Sequence, residues 1–161
     1  MNINEYQIKN IDQVSVGDDV VVVTERGHGV TTTKATVMRK LKTKFELEYE
    51  GGTTAEYKTR MTFGSIIRCG EKLGMSYSGR ESLYPDNDVV RSWCANEARK
   101  TEADRLRWEI ADLAQNHRRG NAGEVPLLEV AREVARKAQQ LVEVETTIYE
   151  YEHAANEDGE D

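Results

Sequence analysis

The chain has 161 residues, 38% of them apolar and 32% charged, and its 29 acidic and 22 basic side chains give a formal charge of -7. That length supports one or two small domains, and a mean hydropathy of -0.70 still leaves enough apolar residues for one modest core, which excludes disorder of the whole chain. The longest apolar run, Val20 to Val23, falls far short of the roughly 20 residues a membrane span needs, so a soluble chain is expected.

Residues 1–84 carry 12 basic and 11 acidic side chains and residues 85–161 carry 10 and 18, so the acidity sits in the second half, at net -8. Periodicity changes at the same point, from short β-branched stretches broken by glycines to apolar residues recurring at threes and fours. The pattern predicts a β segment over 1–84, a helical segment over 85–155 and a disordered acidic tail over 156–161. The first ten residues include Glu5 and Lys9 and hold no apolar leader, which predicts a cytoplasmic protein. Cys69 and Cys94 lie apart without a CxxC spacing, so neither a disulfide nor a metal site is expected, and each reads as a small buried apolar residue.

In the β segment, Asp18-Asp19 closes a turn into Val20 to Thr24, a β-branched first strand. Arg26-Gly27-His28-Gly29 is expected to turn, and Thr31 to Arg39 forms a second strand with Ala35 and Val37 on one face. From Lys44 to Glu50, Phe45, Leu47 and Tyr49 alternate with Glu46, Glu48 and Glu50, the pattern of a half-buried antiparallel strand. Gly51-Gly52 then turns the chain into Thr54 to Met61, with Ala55 and Tyr57 inward. Ile66 to Cys69 and Met75 to Tyr77 are candidates for one or two further strands around Gly70 to Gly74. About five short strands joined by tight turns cannot leave both sheet edges open in so small a chain, which predicts a curled, partly closed barrel.

Tyr84-Pro85-Asp86 marks the joint, with Asp86 as N-cap of a helix over 86–118. Ala103, Leu106, Ile110, Leu113 and His117 are spaced 3, 4, 3, 4, the seam of a coiled coil. Trp93 is a candidate for packing this helix onto the barrel, and Trp108 for a flank of the seam. After the breaker-rich loop Arg119 to Glu124, Pro126 suits the first turn of a second helix, expected to reach about residue 152. There Leu127, Ala131, Val134, Ala138, Leu141, Glu145 and Ile148 step by 4 and 3, interrupted only by Glu145. Each stripe needs apolar surface and the nearest is the other helix, so the pair is predicted to fold back as an antiparallel helical hairpin.

Val16-Gly17-Asp18-Asp19-Val20-Val21-Val22, Ala35-Thr36-Val37 ahead of a basic tip, and Phe45-Glu46-Leu47 ahead of a Gly-Gly turn together resemble a small SH3-like or Tudor-like barrel over residues 14–70. Among such barrels the arrangement is similar to small bacteriophage proteins in which a helix follows near a Tyr-Pro element, here Tyr84-Pro85. It also resembles the CarD-type barrel that interacts with RNA polymerase, through Gly17-Asp18, Gly27-His28-Gly29-Val30 and Glu48-Tyr49-Glu50-Gly51-Gly52. The CarD-type helical part is basic and binds DNA, whereas this one carries net -8. The resemblance implies an SH3-like barrel, and with the two helical stripes the expected class is α+β, an SH3-like barrel followed by an antiparallel helical hairpin.

His28, His117 and His153 are the only histidines, and none has metal-ligand spacing to another histidine or a cysteine, so no zinc site is expected. His28 between glycines has the setting of a mobile general base, but an exposed turn residue is the stronger reading. No GxSxG, HExxH, phosphate loop or dinucleotide fingerprint occurs, which predicts a non-enzyme without catalytic residues or cofactor. Two features stand above this background. Arg39, Lys40, Lys42 and Lys44, with Lys58 and Arg60 on the next strand, form a candidate phosphate-binding tip, against the plainer reading of an edge protected by lysines. Val142, Val144, Ile148, Tyr149 and Tyr151 form a candidate protein-docking stripe. Two functions follow: a non-catalytic, phage-encoded interaction protein that binds a host factor or its own kind, or a nucleic-acid-associated, transcription-related module that touches phosphates through Arg39 to Lys44. Net -8 in the helical half favours the first, with nucleic acid not the principal ligand and no membrane partner.

Overall fold

Four consecutive valines cannot all face one side of a strand, because successive side chains alternate across it. In the computed structural model, which describes residues 2–26, 29–62, 65–69, 80–118 and 126–157, both faces of this run are buried. Val20 and Val22 enter one core with Ala35, Val37, Phe45, Leu47, Tyr57, Ile66 and Leu83. Val21 and Val23 enter another with Tyr84 and Val90.

The first core is the inside of a barrel. Strands β1 (Asp19–Arg26), β2 (Gly29–Lys40), β3 (Lys44–Tyr49), β4 (Thr54–Thr62), β5 (Ser65–Arg68) and β6 (Arg80–Pro85) pair antiparallel in chain order, and β6 returns to β1 to close the sheet. Closure through Val20↔Pro85 and Val22↔Leu83 leaves no free edge, which is how so small a sheet avoids edge pairing with other chains. Between β3 and β4, Gly51 and Gly52 take φ of 103° and 82°, a left-handed pair that side-chain-bearing residues resist. Ile8, Ile11 and Val14, from the segment before β1, join the interior core. That segment contains a short 3-10 turn, Ile11–Gln13, held by the Gln13 side chain, which accepts from the backbone N–H of Lys9 at 2.8 Å and of Asn10 at 2.9 Å.

The structure departs from the sequence reading in three places. The barrel has six strands rather than about five, the sixth being Arg80–Pro85, whose opening Arg80-Glu81 and closing proline mask its strand character. Asn87, not Asp86, caps the first helix: Asn87 Oδ1 accepts from Val90 N at 2.9 Å, and α1 spans Asp88–Arg118. The second helix, α2, spans Leu127–Glu157, past the expected end near residue 152, so residues 156 and 157 of the expected acidic tail are helical, and its residues 158–161 lie outside the described residues. The expected turn at Gly27-His28, the strand at Met75 to Tyr77 and the loop at residues 119–124 lie outside the described residues.

The chain divides into two compact units, Asn2–Cys94 and the residues from Ala95 onward, with the division inside α1. In the first, the opening turns of α1 seat Val90, Trp93 and Cys94 against Val21, Val23 and Tyr84, with the Trp93 and Tyr84 rings 6.0 Å apart. In the second, α1 and α2 run antiparallel as a helical hairpin, since Lys100 pairs with Glu152, Arg107 with Glu145 and Glu109 with Lys137. No helix of the described residues is long and apolar enough to cross a membrane.

Because β1 is buried on both faces, Val22→Ala and Val23→Ala should each lower the unfolding free energy by about 1–3 kcal/mol. Urea denaturation of the two variants checks this; a strand with one wet face would give one cost and one value near zero.

Candidate interaction surface

The basic tip is divided by strand parity and by its own acids. Lys40 pairs with Phe45 across the β2/β3 register and so shares the core side of the sheet, where its Nζ donates to the Val14 carbonyl at 2.5 Å. Lys44 stands opposite Lys58 and Arg39 opposite Glu46, which is itself opposite Glu56. Lys44 Nζ lies 2.5 Å from Glu56 Oε1. A phosphate arriving here meets cations already interleaved with carboxylates. Arg39, Lys42 and Arg60 remain exposed. The structure thus brings Arg39, Lys44 and Lys58 onto one outer face and takes Lys40 away from it.

Inside the barrel, the end away from Ile11 is polar. Tyr57 is fully buried and its hydroxyl is bonded to that of Tyr49. Arg68 Nη2 donates to Tyr57 Oη at 3.4 Å, and the guanidinium carbon sits 5.7 Å from the ring centroid. Glu81 faces Arg68 at 4.0 Å. A cavity of about 310 Å³ opens beyond them, lined by Thr24, Thr33, Tyr49, Ala55, Arg68 and Glu81 among others. Burial, and then the bond to Tyr49, pushes the Tyr57 phenol far above its ordinary value, so it stays protonated and serves as a hydrogen-bonding post. These inward charges escape sequence reasoning because β6 does, although Arg68 follows Ile66, and Glu81 precedes Leu83, by the two residues that keep one face. Among the described residues no group of three His, Cys, Asp or Glu side chains is placed to hold a metal ion, and Cys69 and Cys94 are free thiols.

The helical hairpin separates the five candidate docking residues into two lines. Ile148 is buried at 8% exposure, and Val144 and Tyr151 are half-buried, a 4 and 3 spacing that continues Val134 and Leu141 along the seam. Ala103 and Leu106 of α1 are buried and Ile110 and Leu113 half-buried. Glu145, the interruption in the expected stripe, pairs with Arg107 of α1 at the seam's edge. Val142 and Tyr149 stand off this line, 64% and 62% exposed. Leu128, 60% exposed, and Ala135, also exposed, fall on their line at the same seven-residue spacing. Sequence reasoning missed Leu128 and Ala135 because their heptad runs one residue behind the stronger one at 127, 134, 141 and 148. Trp108, 68% exposed, lies two residues past Leu106 and so faces away from the seam rather than flanking it.

Asp86, released from the capping role, anchors the start of α1. Arg91 grips its carboxylate through Nε at 2.7 Å and Nη2 at 3.0 Å, with Lys34 Nζ 3.9 Å away. The Arg91 hydrogen bond holds the Asp86 carboxyl below its ordinary value. Its contribution to stability is therefore complete above the unfolded aspartate pKa, about 3.9, and disappears as pH falls through the lower folded value. Asp86→Asn should accordingly be less stable than wild type near neutrality, and the gap should close in acid. Urea midpoints for both proteins at about pH 7, 5 and 3 measure it; a gap independent of pH would contradict the assignment. Compared with protein-family models, characterised proteins and solved structures, the chain matches none.

Proposed function

We propose that this chain is a non-catalytic protein–protein interaction protein, phage-encoded and cytoplasmic, whose coiled-coil-like hairpin docks a host factor or another copy of itself. The observation that carries the docking role is the second apolar line on α2. A two-helix hairpin needs one seam per helix, and α2 meets that need with Val134, Leu141, Val144 and Ile148. Leu128, Val142 and Tyr149 add a separate exposed line, and contiguous exposed apolar surface of this kind marks interaction sites in soluble proteins. The phage reading has its support in the likeness of the Val16 to Val22, Ala35 to Val37 and Phe45 to Leu47 arrangement followed by Tyr84-Pro85.

Paired substitution of the line tests this. Val142→Glu with Tyr149→Glu should abolish retention of whatever protein the immobilised wild-type chain retains, while the melting temperature moves by no more than about 3 °C, as expected of surface positions. Retention that survives the double substitution overturns the reading.

A second reading, a nucleic-acid-associated or transcription-related module, is favoured by Arg39, Lys42 and Arg60, which are exposed on and beside the β2/β3 tip. Phosphate binding there falls steeply with added salt, whereas apolar docking changes little. Filter binding of duplex DNA at about 150 mM salt should be negligible for the wild type; micromolar binding lost on Arg39→Glu with Lys42→Glu would promote this second reading.

A further inference from the structure

We infer that the occupant of the outer α2 line is α2 of a second copy of the same chain, packed antiparallel about an axis near Val142; the inference rests on the docking role proposed above.

The line at 128, 135, 142 and 149 runs one residue after the seam at 134, 141 and 148, which places it about 100° around the helix; Leu127, expected in that seam, is 66% exposed. A helix that packs on two neighbours, as in a four-helix bundle, carries two seams set apart in this way. The first neighbour, α1 of the same chain, is fixed by its ion pairs at Glu145, Glu152 and Lys137. The second line is therefore the seam for a helix from elsewhere.

Charge selects what that helix is. All the Lys and Arg residues of α2, Arg132, Arg136 and Lys137, precede Gln139, and beyond Gln140 the ionisable groups through Glu152 are the carboxylates Glu143, Glu145, Glu150 and Glu152 and the phenols Tyr149 and Tyr151. Arg136 pairs with Glu133 and Lys137 with Glu109. Among the described residues Arg132 and Glu150 have no ion pair, and both are exposed. They stand 18 residues apart, about five turns and about 27 Å along the axis, so they lie on one line of the helix beside the apolar one.

Antiparallel two-fold packing brings the same flank of each copy together, so Arg132 of each copy meets Glu150 of the other, twice per dimer. Parallel two-fold packing would instead bring opposite flanks together and set Arg132 and Glu150 of the two copies on opposite sides of the interface. About the same axis Val142 meets Val142, and Tyr149 reaches Ala135, equally far from Val142 on the other side, so a large side chain lies over a small one. A patch that complements itself in both charge and size is what an isologous interface requires. A foreign helix would have to reproduce α2's own pattern.

Light scattering and sedimentation of the full chain test this, with circular dichroism to follow the fold. The wild type should be dimeric well below about 100 µM, and Arg132→Glu should weaken the dimer about tenfold or more. Arg132→Glu with Glu150→Arg should restore it to within about threefold, and Val142→Glu should leave a helical monomer. Loss followed by rescue is specific to the antiparallel arrangement, because in a parallel pair neither change creates or relieves an opposite-charge contact. A wild type monomeric at about 100 µM, a dimer indifferent to Val142→Glu, or a charge reversal without rescue overturns the inference. If the wild type is monomeric yet the double variant Val142→Glu, Tyr149→Glu still loses a retained foreign protein, the docking role stands and the second-copy inference alone fails.

Discussion

The unit formed by Asn2–Cys94 depends on the double burial of β1. A strand with one wet face would hold a barrel together but offer nothing to the helix that follows it. By placing Val20 and Val22 inside the barrel and Val21 and Val23 against Tyr84, Val90 and Trp93, β1 serves as wall for two cores at once. Burying an apolar side chain is worth about 1.5–3 kcal/mol, so the outer pair alone rivals the whole of a weak helix's intrinsic stability. The helix start is then set by polar groups: Asn87 satisfies an orphan N–H, and Asp86 and Arg91 bind the strand end to the first turn. The Asp86 side chain is itself nearly buried while Arg91 is half exposed, so removing Arg91 leaves a poorly solvated carboxylate rather than a merely lost contact.

What was legible in the sequence was whatever repeats at a regular period. The alternation of Phe45, Leu47 and Tyr49 with glutamates, the glycine pair at 51 and 52, and the 3 and 4 spacing of both helices each announce one face of one element. Strand β6 lacked such a signal, having only Ser82-Leu83-Tyr84 between a charged opening and a proline. The part of Ile8, Ile11 and Val14 in the interior core was equally hidden, because isolated apolar residues in an irregular segment carry no period. Asp86 and Asn87 are both good caps by type, and only the tertiary demand of Arg91 on Asp86 separates them.

The candidate sites illustrate the same limit from the side of charge. Counting cations along the tip from Arg39 to Lys44 makes a patch; placing them on the sheet undoes half of it. Lys40 belongs to the other face, and Lys44 already holds Glu56. In a barrel this small, outward positions on three adjacent strands are within reach of one another, so cation density in sequence is a poor guide to field at the surface unless the opposing strands are also read. The pair of Arg68, still exposed, and Glu81 is the converse, two charges on neighbouring strands β5 and β6 that the sequence does not bring together.

On α2 the two lines are held apart by composition. Ala131 and Ala138 lie in the stripe toward α1, and on the outer line Ala135 is the one small residue among Leu128, Val142 and Tyr149. A uniformly bulky line would pack on any apolar surface it met, whereas the single small residue, Ala135, leaves room for one large side chain, which in the proposed pairing is Tyr149 of the second copy. Confining the cations of α2 to residues 132–137 while carboxylates run on to Glu152 adds a directional condition to the proposed pairing, since mismatched charges across an interface discriminate against the wrong orientation. In the pairing proposed for α2, apolar burial would supply the attraction and the placement of the cations would decide which way round the second copy lies.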